Sequence, residues 1–176
     1  MKKILPIILS VLILTACGSK YIIDKPNMPE EYRENIEQQL NDAIEVYNNA
    51  TGAYEKSDAA ADVGMKYALL GNYRGAIPYY EEVLKGDPVH LVALMNLASM
   101  YEEVGGISKA LEYQEILYEN YSDIAEINRD YIRLLLADGQ LDRAQEVVDA
   151  LSVSEQAEGN EGFMQSLQES IDEARQ

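Results

Sequence analysis

The sequence predicts an all-α fold of stacked helical hairpins, and the main reason is a repeat with a spacing of 34 residues. One column of the repeat consists of Gly71, Gly105 and Gly139. A second column, five residues later, consists of Ala76, Ala110 and Ala144. Between them lies an apolar column of Tyr73, Ile107 and Leu141. A period of this length is typical of hairpins that bury their apolar faces against one another, and such stacks present surfaces that hold other proteins.

The length and composition fit one domain of modest size and argue against two classes of binding partner. The chain has 176 residues, of which 47% are hydrophobic, and its formal net charge is −17. This excess of acid argues against nucleic acid, because phosphate recognition needs clustered Lys and Arg side chains, and against anionic lipid headgroups. The acidic residues are scattered along predicted helices, so a solvated surface is the simplest interpretation. The single cysteine excludes an internal disulfide framework.

Residues 1–16 have the features of a secretory signal peptide. Lys2 and Lys3 precede an apolar run from residue 4 to residue 13. This run is too short to cross the hydrocarbon core of a bilayer, which is about 30 Å thick and needs about 20 helical residues. It therefore predicts an export signal that is removed from the mature protein.

The segment Leu14-Thr15-Ala16-Cys17 resembles the lipobox of bacterial lipoproteins. The resemblance implies that the signal is cut before Cys17 and that this cysteine carries a covalent diacylglycerol; no cofactor is expected besides it. Two acyl chains anchor a protein stably, since each buried methylene contributes about 0.8 kcal/mol. The expected location is the extracytoplasmic side of the bacterial envelope, on the cell membrane or on an outer membrane if the organism has one. The alternative is an ordinary signal peptide followed by a free cysteine.

Residues 17–29 contain Gly, Ser, Asn and Pro and lack helical periodicity. They predict a flexible tether whose typical end-to-end distance is about 20 Å. The tether would separate the lipid anchor from the folded repeats.

Each predicted repeat contains two helices joined by a glycine turn, and the three repeats cover residues 57–90, 91–124 and 125–158. Ser57 is the expected cap of the first helix. Gly71 is expected to end that helix in the left-handed conformation, which glycine adopts without penalty. Asp87 is expected to cap the first helix of the next repeat, with Pro88 at the first helical position.

These columns resemble the tetratricopeptide repeat, which has a small residue and a tyrosine in its first helix and an alanine and an aromatic residue in its second. The first repeat carries this pattern at Gly64, Tyr67, Gly71, Ala76, Tyr80 and Pro88. The second repeat departs from it at Gln114 and Ser122, and the third departs from it at Ile132 and Leu135. The resemblance covers residues 57–155 and implies a right-handed superhelix of antiparallel helix pairs.

Pro78 departs from the pattern because it falls inside the expected second helix of the first repeat. Its ring and its missing amide oppose the preceding turn of a helix. The helix must either start late, near Arg74, or bend, and the late start is the preferred prediction.

Capping helices are expected at both ends of the stack, where they would cover otherwise exposed apolar faces. Residues 30–56 predict a capping helix or a degenerate repeat, with an apolar face at Ile36, Leu40, Ala43, Ile44, Tyr47 and Ala50. Residues 159–176 predict a C-terminal capping helix, with Asn160 as its cap and an apolar stripe at Phe163, Met164, Leu167, Ile171 and Ala174.

In the tetratricopeptide family, the first helices of successive repeats line a concave groove in which extended peptides bind. Carried over by position, the groove residues of this chain are Met65, Leu69, Met95, Asn96, Ser99, Glu102, Arg129 and Arg133, with Ala61, Glu103 and Asp130 beside them. The resemblance implies a protein or peptide partner. Met65 and Met95 would suit an apolar peptide, because methionine adapts its shape, or they fill the core.

Arg129 and Arg133 are four residues apart and share one helical face. Their guanidinium groups could grip a carboxylate through paired hydrogen bonds. The alternative is that they pair with Glu102 or Glu126 and only keep the stack soluble. The Lys and Asn set with which chaperone-binding members of the family grip a C-terminal carboxylate is not reproduced, so that specificity is not expected.

The sequence offers no candidate for catalysis. The single histidine, His90, is expected in a surface loop between repeats. No His or Cys pair has metal-site spacing, no nucleophile accompanies the histidine, and the glycines lie at turn positions rather than in a phosphate loop. The expected function is that of a lipid-anchored adaptor that binds a protein segment. The alternative is a structural subunit, similar to a pilotin or an insertion-complex component, of a secretion, pilus or outer-membrane machine.

Overall fold

A computed structural model of the chain describes residues 28–152 and 161–175. All regular secondary structure in these two ranges is helical, which confirms the all-α prediction for them. The helices are α1 (Glu30–Asn49), α2 (Ala53–Leu69), α3 (Tyr73–Gly86), α4 (Leu91–Glu103), α5 (Ile107–Tyr121), α6 (Ala125–Ala137), α7 (Leu141–Ser152) and α8 (Glu161–Ala174). The predicted signal peptide, the lipid site Cys17, the tether up to residue 27 and the predicted cap Asn160 lie outside the described residues.

The helices pack in chain order. Each helix contacts chiefly the helix before it and the helix after it, and α8 also contacts α6. The buried side chains form four neighbouring clusters, and partly buried tyrosines such as Tyr67, Tyr101 and Tyr113 each pack against two of them. The core is therefore a continuous band that runs from α1 to α8 and not a single central nucleus.

Three glycine turns reverse the chain between α2 and α3, α4 and α5, and α6 and α7. Gly71, Gly105 and Gly139 have φ values of 75°, 80° and 77°, which confirms the predicted left-handed caps. At each turn the glycine N–H donates to a carbonyl three residues earlier, and the next N–H donates to a carbonyl five residues earlier. This hydrogen-bond pattern is the Schellman motif, which satisfies carbonyls that a helix end would otherwise leave without donors.

The other two predicted columns also occupy equivalent places. Ala76, Ala110 and Ala144 are all fully buried. Tyr73, Ile107 and Leu141 are each the first residue of the helix that follows a glycine turn. A small side chain at a helix crossing keeps the two axes close, so the alanine column sets how tightly each hairpin closes.

A stacked tyrosine pair repeats with the same spacing of 34 residues. The rings of Tyr67 and Tyr79 have centroids 5.7 Å apart and planes 25° apart. The corresponding pair, Tyr101 and Tyr113, has centroids 5.6 Å apart and planes 23° apart. The third repeat has Leu135 and Val147 at these positions, and both side chains are buried. The departure at Leu135 therefore replaces an aromatic contact with an aliphatic one.

The predicted cap at Ser57 is wrong. Helix α2 begins at Ala53, and Gly52 is its cap residue, so Ser57 lies in the second turn of the helix and does not cap it. The backbone N–H of Gly52 donates to the Glu55 carboxylate at 3.4 Å. Ala53, Glu55 and Lys56 are strong helix formers, so the helix extends toward its N-terminus as far as Gly52.

The predicted cap at Asp87 is also wrong, because α4 begins at Leu91 and its cap is His90. The Nδ1 atom of His90 accepts a hydrogen bond from the Ala93 N–H at 3.2 Å. The Asp87 carboxylate is engaged in the preceding turn, where it accepts from the Val89 N–H at 3.2 Å. His90 thus lies in the connection between two repeats, as predicted, but it is half-buried and caps α4.

Helix α3 accommodates Pro78 without a late start. The helix begins at Tyr73, next to the expected Arg74, but this is the same repeat position at which α5 and α7 begin. The side chain of Asn72 caps the helix by accepting from the Gly75 N–H at 2.9 Å. Pro78 is exposed inside the helix, where water can hydrate the carbonyl that receives no donor from the proline.

The two end helices bury one face each. In α1 the buried residues are Ile36, Leu40 and Ala43, as the apolar face predicts, but the helix ends at Asn49 and residues 53–56 belong to α2. In α8 the buried residues are Leu167 and Ile171, which join the cluster formed by α6 and α7. This confirms the amphipathic C-terminal helix for the residues whose side chains are described, which do not include Phe163.

We expect Gly105→Ala to lower the free energy of unfolding by about 1 kcal/mol, because alanine is strained at positive φ. A β-carbon at Gly105 would meet nothing within 4 Å, so crowding does not contribute. Gly86→Ala is the matched control, since Gly86 ends α3 without a positive φ and its β-carbon would make only ordinary contacts. Urea denaturation measures both variants, and equal stabilities would contradict the role of the left-handed turn.

Candidate binding groove

An open groove of about 1090 Å³ lies along α1 and α2 and reaches the first turn of α4. Side chains from α1 form one wall, side chains from α2 form the other, and Tyr80 of α3 lies at its base. Its lining residues are Asp42, Ala43, Glu45, Val46, Asn49, Ala50, Tyr54, Glu55, Asp58, Ala59, Ala61, Asp62, Met65, Tyr80 and Val92.

Small side chains create the space. Four alanines line the groove, at positions 43, 50, 59 and 61, where α1 and α2 face it. Because an alanine side chain is a single methyl group, the volume that a larger side chain would occupy stays empty at these positions. The groove is therefore a consequence of the alanine content of this part of the chain. Ala43 also belongs to the buried cluster of Ile36, Leu40 and Val63, so the groove borders the core.

Gly64 allows Tyr80 to form the base of the groove. A β-carbon on Gly64 would lie 2.9 Å from a ring carbon of Tyr80, which is closer than real side chains approach one another. The tyrosine ring is buried against this bare stretch of α2. Burial, followed by the nearby charge of Asp62, raises the pKa of Tyr80.

Apolar side chains in the groove are unusually exposed. Val46 is 62% exposed, Tyr54 84%, Met65 43% and Val92 55%. Met95, 47% exposed, lies three residues after Val92 on the same face of α4 but does not line the cavity. Large apolar side chains clustered in a concave surface mark a binding site more reliably than single exposed residues do.

The charge along the groove is entirely negative. Five carboxylates line it: Asp42, Glu45, Glu55, Asp58 and Asp62. No Lys, Arg or His is among the described lining residues. Two lysines of α2 are engaged beside it, since Lys66 lies 3.4 Å from Asp62 and Lys56 donates to the Tyr47 carbonyl at 2.7 Å. The groove therefore combines apolar anchors with an acidic rim.

Only part of the predicted groove set lies in this cavity. Met65 lines it, together with the neighbouring Ala61. Leu69 packs instead against the cluster around Ile36. Asn96 donates to the Val92 carbonyl at 2.8 Å, and Ser99 is exposed outside the cavity.

Arg133 has a partner within the chain. Its guanidinium group forms two hydrogen bonds to the Glu102 carboxylate, one of them at 2.8 Å. Asp130 lies 3.6 Å from Arg133 and 3.9 Å from Arg129. Pairing with Glu102, one of the two alternatives from the sequence, thus applies to Arg133. An external carboxylate would have to displace Glu102, although an exposed pair contributes only about 0–1 kcal/mol.

A second polar cluster joins α3, α4 and α5 away from the groove. The hydroxyl groups of Tyr101 and Tyr113 donate to the Glu81 carboxylate at 2.9 Å and 3.3 Å. Burial and then the hydrogen bond to Glu81 raise the pKa of Tyr101 to about 12. Burial and the charge of Glu81 also raise the pKa of Tyr113 well above its ordinary value. Both tyrosines stay neutral donors at physiological pH, so their hydrogen bonds link α3 of one hairpin to α4 and α5 of the next.

The described ranges hold neither a metal site nor a membrane-spanning helix. No group of three or more His, Cys, Asp or Glu side chains there is arranged to hold a metal ion. None of the helices in the same ranges combines the length and the apolar character needed to cross a bilayer.

Sequence reasoning missed Val46, Tyr54 and Val92, and also the acidic rim. The repeat columns cannot reveal Val46, because α1 lies outside the three repeats. A signal was nevertheless present, since Val46 is an apolar residue between acidic and amide residues on a polar helix face. Tyr54 was missed because the predicted first helix began at Ser57, whereas α2 begins at Ala53 and includes Tyr54.

The chain matches no protein-family model and no curated protein.

We expect Gly64→Ala to lower the free energy of unfolding by about 1–3 kcal/mol, because the new methyl group would collide with the Tyr80 ring. In a Tyr80→Leu background the same change should be neutral or stabilising, since alanine favours a helix over glycine by about 1 kcal/mol. Urea denaturation of the four proteins in this double-mutant cycle measures the coupling. Strictly additive effects would show that the two residues are not in contact.

Proposed function

We propose that this chain is a lipid-anchored, extracytoplasmic protein of the tetratricopeptide type that holds a protein or peptide segment in its groove. The observation that carries the proposal is the cluster of exposed apolar side chains in a cavity of about 1090 Å³. Pockets for drug-sized ligands usually measure about 300–1,000 Å³ and bury most of the ligand. A groove of this size that is open along its length suits a chain segment better than a small molecule.

The repeat regularities support the tetratricopeptide assignment. Three hairpin turns share one glycine conformation and one hydrogen-bond pattern, and two tyrosine stacks recur at the same spacing. Units that are related by one constant step generate a superhelix. We therefore propose the right-handed superhelix of helix pairs that characterises this family, with α1 and α8 as the end helices.

The proposed anchor is the diacylglycerol on Cys17, and residues 17–29 are the proposed tether. The support for it is the order of features in the sequence: two lysines, a short apolar run and the Leu14-Thr15-Ala16-Cys17 segment. A flexible segment of this length would hold the groove within about 20 Å of the membrane surface. The partner would then be a protein that is exposed in the same envelope compartment.

The anchor is tested by membrane fractionation. We expect the unaltered chain to remain with the membrane fraction after a salt wash, because two acyl chains hold a protein without electrostatic help. Cys17→Ser should leave the chain unlipidated, with its signal uncleaved at that site. A metabolically incorporated lipid label distinguishes the two forms, and equal labelling of both would refute attachment at Cys17.

The binding function is tested by photo-crosslinking in intact cells. A photoreactive amino acid at Met65 should yield a discrete adduct with another protein, because this side chain projects into the groove. The same amino acid at Ser108, an exposed position on α5, is the control and should yield no such adduct. An adduct of equal yield at Ser108, or none at Met65, would contradict the proposal.

A stoichiometric complex that survives purification would indicate a subunit of an envelope machine instead of a transient adaptor.

A further inference from the structure

We infer that the segment bound in the groove is cationic and amphipathic, with Lys or Arg side chains flanking an apolar face. This inference rests on the proposed function, in which the groove binds a protein partner, and adds the chemistry of that partner. The feature that carries it is the combination of five carboxylates with four exposed apolar side chains in one cavity.

The carboxylates make the groove attractive to cations. Asp42 and Glu45 lie on the α1 wall, while Glu55, Asp58 and Asp62 lie on the α2 wall, so a bound segment would face acid on both sides. Asp62 has Lys66 as a neighbour at 3.4 Å, but the groove lining supplies no cation of its own. Facing rows of one sign of charge in a concave surface focus the potential and steer oppositely charged ligands.

The apolar side chains supply the binding energy that charge alone does not give. Val46, Tyr54 and Met65 project from the two walls, and Val92 lies at the α4 end. Burial of such side chains contributes roughly 25 cal/mol for each Å² of apolar surface removed from water. Tyrosine in particular offers a rigid anchor with a large contact area. A ligand with charge but no apolar face would leave these side chains in water.

Other occupants fit the charge less well. A second copy of this chain would also be strongly acidic, with a net charge of −17 for the full sequence, and would be repelled. An acidic peptide would meet the five carboxylates without a lining cation to pair with. The exposed arginines of α6 lie outside the lining, and Arg133 is already bonded to Glu102.

The test uses the full-length chain in detergent and three fluorescent helical peptides. The first has a leucine face flanked by lysines, the second has the same leucines with every lysine replaced by glutamate, and the third keeps the lysines but has serine for leucine. We expect fluorescence anisotropy to show saturable binding of the first peptide only. The affinity should fall with rising salt, because exposed charges are screened over about 10 Å at 0.1 M salt.

Two double variants, each with one Asp→Asn and one Glu→Gln substitution, locate the binding site. Asp58→Asn with Glu45→Gln should weaken binding of the first peptide about ten-fold, whereas Asp123→Asn with Glu126→Gln should change it less than about two-fold. Both pairs remove two exposed carboxylates, but only the first pair lines the groove. Tyr54→Ala should weaken binding about ten-fold, and Tyr32→Ala, an exposed tyrosine outside the lining, should not.

The outcomes separate this inference from the proposed function. Equal loss of binding in both carboxylate pairs would show attraction to net charge alone and would overturn the inference. Binding of the acidic peptide, or of none, would also overturn it. The crosslink from Met65 does not depend on the partner's charge, so an adduct with a neutral or acidic segment there would keep the proposed function and reject the cationic partner.

Discussion

The left-handed glycine turn is the constraint on which the rest of this fold depends. Three of the reversals between packed helices pass through a residue at positive φ, and among the described residues only Gly71, Gly105 and Gly139 have one. The two hydrogen bonds at each turn set the residue at which the next helix begins. That start in turn places the alanine column at the buried crossing, so one backbone angle determines how each hairpin packs.

The repeats tolerate different core residues because paired positions change together. Gly64 faces Tyr80 in the first repeat, and the corresponding residues are Ala98 and Gln114 in the second. All four are buried, and a larger residue in the first helix accompanies a shorter one in the second. The amide of Gln114 donates to the Ile127 carbonyl at 2.9 Å, which satisfies a polar group that burial would otherwise destabilise. Departures from the repeat pattern therefore alter the contact without altering the fold.

The groove arises where the repeat meets a helix that does not belong to it. Helix α1 packs against α2 and lacks a glycine turn of the type found between the later pairs. Its alanines leave space beside α2, and its outer carboxylates face those of α2 across that space. Five of the 31 acidic residues thus line one concave surface, where their negative charges favour the binding of cations.

The sequence by itself determined the all-α class, the three turns and the buried alanine column, because these features depend on local spacing and on the conformational freedom of glycine. The amphipathic faces of α1 and α8 were likewise predictable from periodicity alone. Local patterns did not determine where each helix begins, since the predicted caps Ser57 and Asp87 are not the caps in the structure. Nor did they determine that Arg133 would form hydrogen bonds to Glu102 of another helix. Only the tertiary structure decided where α1, α2 and α4 would leave a groove, because a cavity is the space left between packed helices, and local spacing does not set how those helices lie against one another.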